Sequence, residues 1–218
     1  MDEDRATSGP RRSGLVQERS RRTRRALVDA ALAFWTERGF DDGIDETTVE
    51  EIAQAAGVTK GTFYFHFAHK EDILLEIGWG TAEAMYKEAT KYIADELTVD
   101  DAFDKLLTTL ARWITAGPRV AVGRTLAEFY RRPLRGVDPG GAHYGFQRSF
   151  TELFVRAQET GELPDQPNAR ELAEMLFSLT MGAINTWVLD DNVDLAAELR
   201  SRGAVLIAGA RGLAPRPG

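Results

Sequence analysis

Between residues 47 and 66 the chain encodes two short helices back to back, and that pair constrains the fold more than any other feature. Thr47 and Thr48 each stand three residues ahead of a glutamate, Glu50 and Glu51. At that spacing a hydroxyl and a carboxylate can satisfy each other's backbone amides, so a helix starts here whichever threonine is the cap. Its apolar face is Val49, Ile52, Ala53 and Ala56. Gly57 stops it, because glycine accepts the left-handed conformation that follows a helix end. Thr59 can cap again, so a second short helix runs over 60–66. Two short helices joined by three or four residues that include a glycine have helix-turn-helix spacing.

The flanks extend this pattern. Residues 1–14 are polar, with Gly, Pro and mixed charge, and read as a flexible tail. Residues 15–25 hold five arginines against Glu18. Leu27, Ala30, Ala31 and Phe34 then recur at helical spacing before Gly39, which predicts a first helix over roughly 20–38. Residues 40–46 read as a loop containing four acids and Gly43. A long helical region opens at Lys70 or Glu71. Breaks at Gly117-Pro118, at 133–141 and at 161–167 divide it into segments near 71–97, 100–116, 118–132, 142–160, 168–189 and 193–210. No alternating apolar run bounded by turn residues suggests a strand. The expected fold is all-α: a tail over 1–14, three small helices over 15–70, and a larger helical domain over 71–218.

Composition removes several functions. The chain has 218 residues and no cysteine, which excludes disulfides, a thiol nucleophile, Cys-ligated metal and thiol-based oxidant sensing. His66, His69 and His143 stand in neither Glu-x-x-His nor His-Glu-x-x-His spacing. Gly140 and Gly145 have the spacing of a phosphate loop, but Phe146-Gln147 replaces its Lys-Ser/Thr and no strand precedes it. No Gly-x-Ser-x-Gly occurs. No catalytic residue, metal or cofactor is therefore expected, nor enzymatic activity. The uncharged stretch 175–189 is fifteen residues long and includes Ser178, Thr180, Asn185 and Thr186. A spanning helix needs roughly 20 apolar residues. The arginine-rich start lacks the apolar run of a secretory signal. The expectation is a cytoplasmic protein without membrane association.

A net charge of −7 argues at first against nucleic acid, yet residues 11–25 hold seven arginines against one acid. Local charge, rather than the total, sets phosphate affinity. Ile52-Ala53, Ala56-Gly57-Val58, Gly61, Phe63-Tyr64, His66-Phe67 and the run from Lys70 to Leu74 together resemble the DNA-binding signature of TetR-family regulators. The basic residues before the first helix and the Gly39-Phe40 step also match. The resemblance implies an N-terminal three-helix helix-turn-helix DNA-binding domain followed by a larger ligand-binding and dimerisation domain. It departs at residues 41–47, where the connection is several residues longer than usual and acidic. Loop extension costs little free energy. It leaves open which threonine opens the next helix.

In such a motif the second helix enters the major groove and its N-terminal residues meet base edges. Lys60 can reach guanine acceptors or a phosphate, Thr62 can donate, accept or meet a thymine methyl, and Gly61 lets the backbone approach closely. Phe63 and Phe67, at i and i+4, face inward. The resemblance places Lys60, Gly61, Thr62 and Phe65 nearest the bases. It assigns phosphate contacts to Thr47 or Thr48, Thr59, Tyr64, His66 and Lys70, and the basic run adds Arg21, Arg22 and Arg25.

Residues 71–218 far exceed what a DNA-binding module needs. A helical bundle can hold an apolar cavity, for which Trp113, Phe129, Phe150 and Met181 are candidate lining. The last two helices resemble the family's dimerisation pair. Leu172, Met175, Leu176, Leu179 and Ala183 form one apolar face, and Leu199 and Leu206 belong to the other. The resulting expectation is a homodimeric repressor that binds palindromic operator DNA and is released by a small hydrophobic or amphipathic effector. The alternatives are an activator or dual regulator of the same fold, or a helical ligand-binding protein or enzyme with a vestigial head.

Overall fold

The computed structural model describes residues 12–131 and 142–213. The described residues form ten helices and no strand. They are α1 (Arg12–Arg38), α2 (Gly43–Glu46), α3 (Val49–Ala55), α4 (Lys60–His66), α5 (Asp72–Ala94), α6 (Val99–Thr115), α7 (Arg119–Arg131), α8 (Ala142–Glu159), α9 (Ala169–Leu189) and α10 (Leu195–Gly212). The chain divides into two compact units, Met1–Ile73 and Leu74–Gly218.

In the first unit α1 packs on α2 and α3, and α3 packs on α4. Leu27, Ala31 and Trp35 lie one turn apart on α1 and are fully buried. Ile44, Ile52, Phe63 and Phe67 are buried in the same unit. Trp35 is edge-on to Phe40 at 6.4 Å, and Phe63 lies 5.7 Å from Phe67. Gly57 has φ +69°, the left-handed conformation that turns the chain from α3 into α4.

Two expectations are corrected. Helix α1 starts at Arg12 rather than near residue 20. The basic run is made largely of good helix formers, with Glu18 and Arg22 at i,i+4 and 3.7 Å apart, but it carries no apolar period to read. Residues 12–14 of the expected tail are thus helical, and residues 1–11 lie outside the described residues. The expected loop 40–46 contains the single helical turn α2. Its first residue must be glycine: a Cβ on Gly43 would sit 2.7 Å from the Arg38 Cβ at the end of α1.

The second unit is built on α6, α8, α9 and α10, with α8 against α9 and α10 against both α6 and α9. Val99, Ala102, Phe103, Leu106, Leu107, Leu110 and Ala111 form the buried stripe of α6, spaced by three or four residues. Phe103, Phe146, Phe150 and Phe154 cluster with ring centroids 4.7–5.4 Å apart. Thr98, Asn168 and Asp194 cap α6, α9 and α10 through their side chains. By length and composition α9 is apolar enough to cross a membrane. Its Leu172, Ala173, Leu176, Ala183, Ile184 and Trp187 are instead buried in the core of this unit. The stretch 133–141 expected as a break lies outside the described residues, apart from the helix start at Ala142 that follows it.

Candidate nucleic-acid interface

The cap of α3 settles the threonine question. Thr48 is the N-cap: its hydroxyl accepts from the Glu51 amide at 3.2 Å, and the Glu51 carboxylate accepts from the Thr48 amide at 2.7 Å. Thr47 is turned inward and is 0% exposed. Its hydroxyl donates to the Gly43 carbonyl at 2.5 Å and accepts from Arg38 at 3.3 Å. Thr47 is therefore corrected from phosphate ligand to a strut between α2 and α1. Arg38 also donates to Glu51 at 2.7 Å. That bond, then the Thr48 amide, holds the Glu51 carboxyl at about 2.

Lys70 is likewise tied into the fold, though not by all of its donors. Its ammonium donates to the carbonyls of Asp45 and Thr47, both at 2.8 Å, and so caps the C-terminal end of α2. Two of its three donors serve the fold. An open recess of about 240 Å³ lies beside it, lined among others by Thr48, Tyr64 and His69, with Asp45 and Glu71 supplying acids.

Helix α4 separates its faces cleanly. Phe63 and Phe67 are buried, while Lys60, Gly61, Tyr64 and Phe65 are exposed and Thr62 and His66 are half-buried. Phe65 is 79% exposed. Thr59 caps the helix through the Thr62 amide at 3.2 Å, and the two hydroxyls are 2.9 Å apart. Lys60 is ion-paired with Glu50 of α3. Burial, then the charge of Arg24, pushes the His66 imidazole below its usual range, so at neutral pH it offers a hydrogen bond rather than a charge. Arg21, Arg22 and Arg25 are exposed on α1.

Sequence reasoning passed over Arg24. Its guanidinium lies 4.2 Å over the Phe67 ring and donates to the His66 carbonyl at 2.6 Å, which fastens the end of α4 to α1. The missed signal was positional: Arg24 stands one turn before Leu27 on the buried face of α1.

In the second unit Phe150 is a core residue between Phe103 and Phe146, and Trp113, Phe129 and Met181 are half-buried at the margins of that core. The Thr180 hydroxyl is fully buried without a hydrogen-bond partner. Of the expected dimer residues, Leu172, Leu176, Ala183 and Leu199 are buried within the chain itself. An apolar helix face shows that it is covered, not by which neighbour; here the cover comes from within the second unit. Leu179 and Leu206 are half-buried, and Met175 is exposed. The outward apolar side chains of α9 and α10 include Met175, Leu189 and Val205.

A capped helix-turn-helix whose second helix shows an unpacked face, joined in one chain to a larger helical unit, defines a DNA-binding transcriptional regulator. The family model described as bacterial regulatory proteins, tetR family, matches residues 27–77. Residues 27–77 thus carry the DNA-binding domain of the TetR family, and the chain is similar to TetR-family regulators along most of its length. It is 27% identical over 206 residues to the HTH-type transcriptional regulator AcrR of Shigella flexneri, covering 88% of this chain and 91% of that one. Over 68 residues it is 43% identical to the regulator TcmR of Streptomyces glaucescens, covering 31% and 28%. A crystal structure of Thermus thermophilus FadR, a TetR-family repressor in complex with lauroyl-CoA, matches with TM-score 0.69 at 26% identity, covering 89% of this chain and 99% of that one. These relatives are named as transcriptional regulators and not as enzymes.

Proposed function

We propose that the protein is a cytoplasmic, effector-released repressor that binds a palindromic operator as a dimer. The observation that carries the DNA part is the outward face of α4. Phe65 in particular stands 79% exposed with its ring edge-on to His66, and leaving a phenylalanine in water forgoes about 2 kcal/mol of burial. In a major groove it meets thymine methyls while Lys60, Gly61 and Thr62 approach base edges. Thr48, Thr59, Tyr64, His66 and the arginines 21, 22 and 25 then take phosphates, with the third donor of Lys70 as an addition. A C2 dimer through the outward faces of α9 and α10 would present two such helices about 34–36 Å apart, or a multiple of that.

The effector reading draws support from the lauroyl-CoA held by the Thermus relative, an amphipathic molecule. Within this chain, the buried Thr180 hydroxyl beside half-buried Phe177 and Met181 supplies one polar point in an apolar surround. Helix α5 starts in the first unit and continues into the second, so it is the covalent route for coupling. The effector must favour a conformer whose heads no longer fit both half-sites.

The test is selection of duplexes from a randomised pool, then titration of the selected duplex across a salt series. Tyr64→Ala and Lys60→Ala should each weaken binding about tenfold or more. Failure of the wild-type protein to retain any duplex at low salt would refute the reading. A panel of amphipathic compounds, acyl-CoA thioesters among them, should include members that dissociate the complex and raise the melting temperature of the free protein.

A further inference from the structure

Lys60 is the only lysine or arginine between Arg38 and Lys70, a span that holds six carboxylates. It opens α4, and its ammonium is ion-paired with Glu50, in the first turn of α3, and lies 6.0 Å from the centre of the Tyr64 ring. The two side chains are 51% and 59% exposed, so the pair lies on the outward surface of the head. Exposed pairs of this kind contribute little to stability. Glu50 also plays no part in the cap of α3, which uses Thr48 and Glu51. The pairing does bias the direction of the one cation on α4 and offsets its charge. Consistent with this, the hydrogen bond to Lys60 holds Glu50 below the usual carboxylate range, and its counterpart holds Lys60 above the usual lysine range.

We propose that Glu50 is a specificity-determining residue of the DNA interface: it competes with phosphate for Lys60 and holds the ammonium aimed from the start of α4. The proposal rests on the DNA-binding reading above. Binding to arbitrary DNA comes from cations that displace condensed counterions from phosphates. A carboxylate already paired with the cation weakens that term for every sequence. A contact to guanine O6 and N7 depends on direction as well as charge, and a lysine already oriented loses less when it is made. Glu50 thus lowers affinity for arbitrary duplex more than affinity for the cognate site.

The experiment compares the full-length wild type with Glu50→Gln by fluorescence anisotropy. The probes are a 30-base-pair duplex of arbitrary sequence and a duplex recovered by selection on the wild type. Glu50→Gln should bind the arbitrary duplex roughly three- to tenfold more tightly, with a salt slope steeper by about one, and gain less on the selected duplex. In a Lys60→Ala background the gain from Glu50→Gln should disappear. Thermal melts of these variants should match the wild type, since neither residue is buried. Unchanged affinity and slope for Glu50→Gln on the arbitrary duplex would overturn the role of Glu50 while leaving the DNA reading intact. A gain that persists undiminished in Lys60→Ala would overturn it too, because the carboxylate would then act by general repulsion. Absence of any wild-type binding would overturn both.

Discussion

Glycine at position 61 is required by nothing inside the head. A Cβ there would meet only the Thr59 hydroxyl at 3.7 Å, an ordinary contact. Alanine favours a helix over glycine by about 0.5–1 kcal/mol. Gly61→Ala should therefore hold or raise the melting temperature while weakening DNA binding several-fold. If binding is unchanged, the backbone of α4 does not approach the bases closely. The two adjacent threonines separate in the same manner. Thr48→Ala removes a cap and should cost about 1 kcal/mol. Thr47→Val removes a buried hydroxyl that ties α2 to α1 and should cost a similar amount. Neither stability loss tests DNA contact; duplex affinity does, and because Thr47 is buried only Thr48→Ala should change it. At Thr180 the sign reverses. Its hydroxyl is buried and unbonded, so Thr180→Val should stabilise the protein by about 1 kcal/mol and blunt the response to effector.

At the scale of elements, α2 and α3 are held by charge where they are too short to hold themselves. Arg38 at the end of α1 joins Thr47 and Glu51, and Lys70 covers the end of α2. Glu51 sits at about 2 against an ordinary 4.5, first through the Arg38 hydrogen bond. Between those values the folded head binds fewer protons than the unfolded chain. The contribution is complete above about pH 4.5 and fades as pH falls towards 2. Glu51→Gln should consequently melt lower than wild type at pH 7, with the gap closing between pH 4.5 and 2. A gap of equal size at both ends would show that the Arg38 bond is not its source. Lys70→Met should loosen residues 43–47, seen as faster amide exchange there, since two carbonyls lose their donor.

For the whole molecule the charge is divided by function. The chain carries −7, but residues 11–25 concentrate seven arginines against one acid, and six carboxylates stand between Arg38 and Lys70. On the proposed reading, affinity for arbitrary DNA rests on α1 more than on α4. Substituting Arg21, Arg22 and Arg25 together by alanine should reduce the salt slope by up to about three and weaken all sequences alike. A loss confined to the selected duplex would instead mean that these arginines read bases.

The sequence alone determined the helix-turn-helix, because a cap at Thr47 or Thr48, the cap at Thr59, the stop at Gly57 and the inward spacing of Phe63 and Phe67 are local signals. The long helices of the second unit were legible for the same reason: breaks and three-to-four spacing need no knowledge of neighbours. Helix α2 and the first turns of α1 were not legible, since neither carries an apolar period. Only the tertiary structure decided what surrounds each apolar or charged group. It turned Thr47 inward, moved Lys70 onto the end of α2, set Glu50 against Lys60, and placed Leu172, Leu176, Ala183 and Leu199 in the core of their own chain. A residue's chemistry is written in the sequence, but its partner is chosen by residues distant in the chain, through packing and hydrogen bonds that no local pattern records.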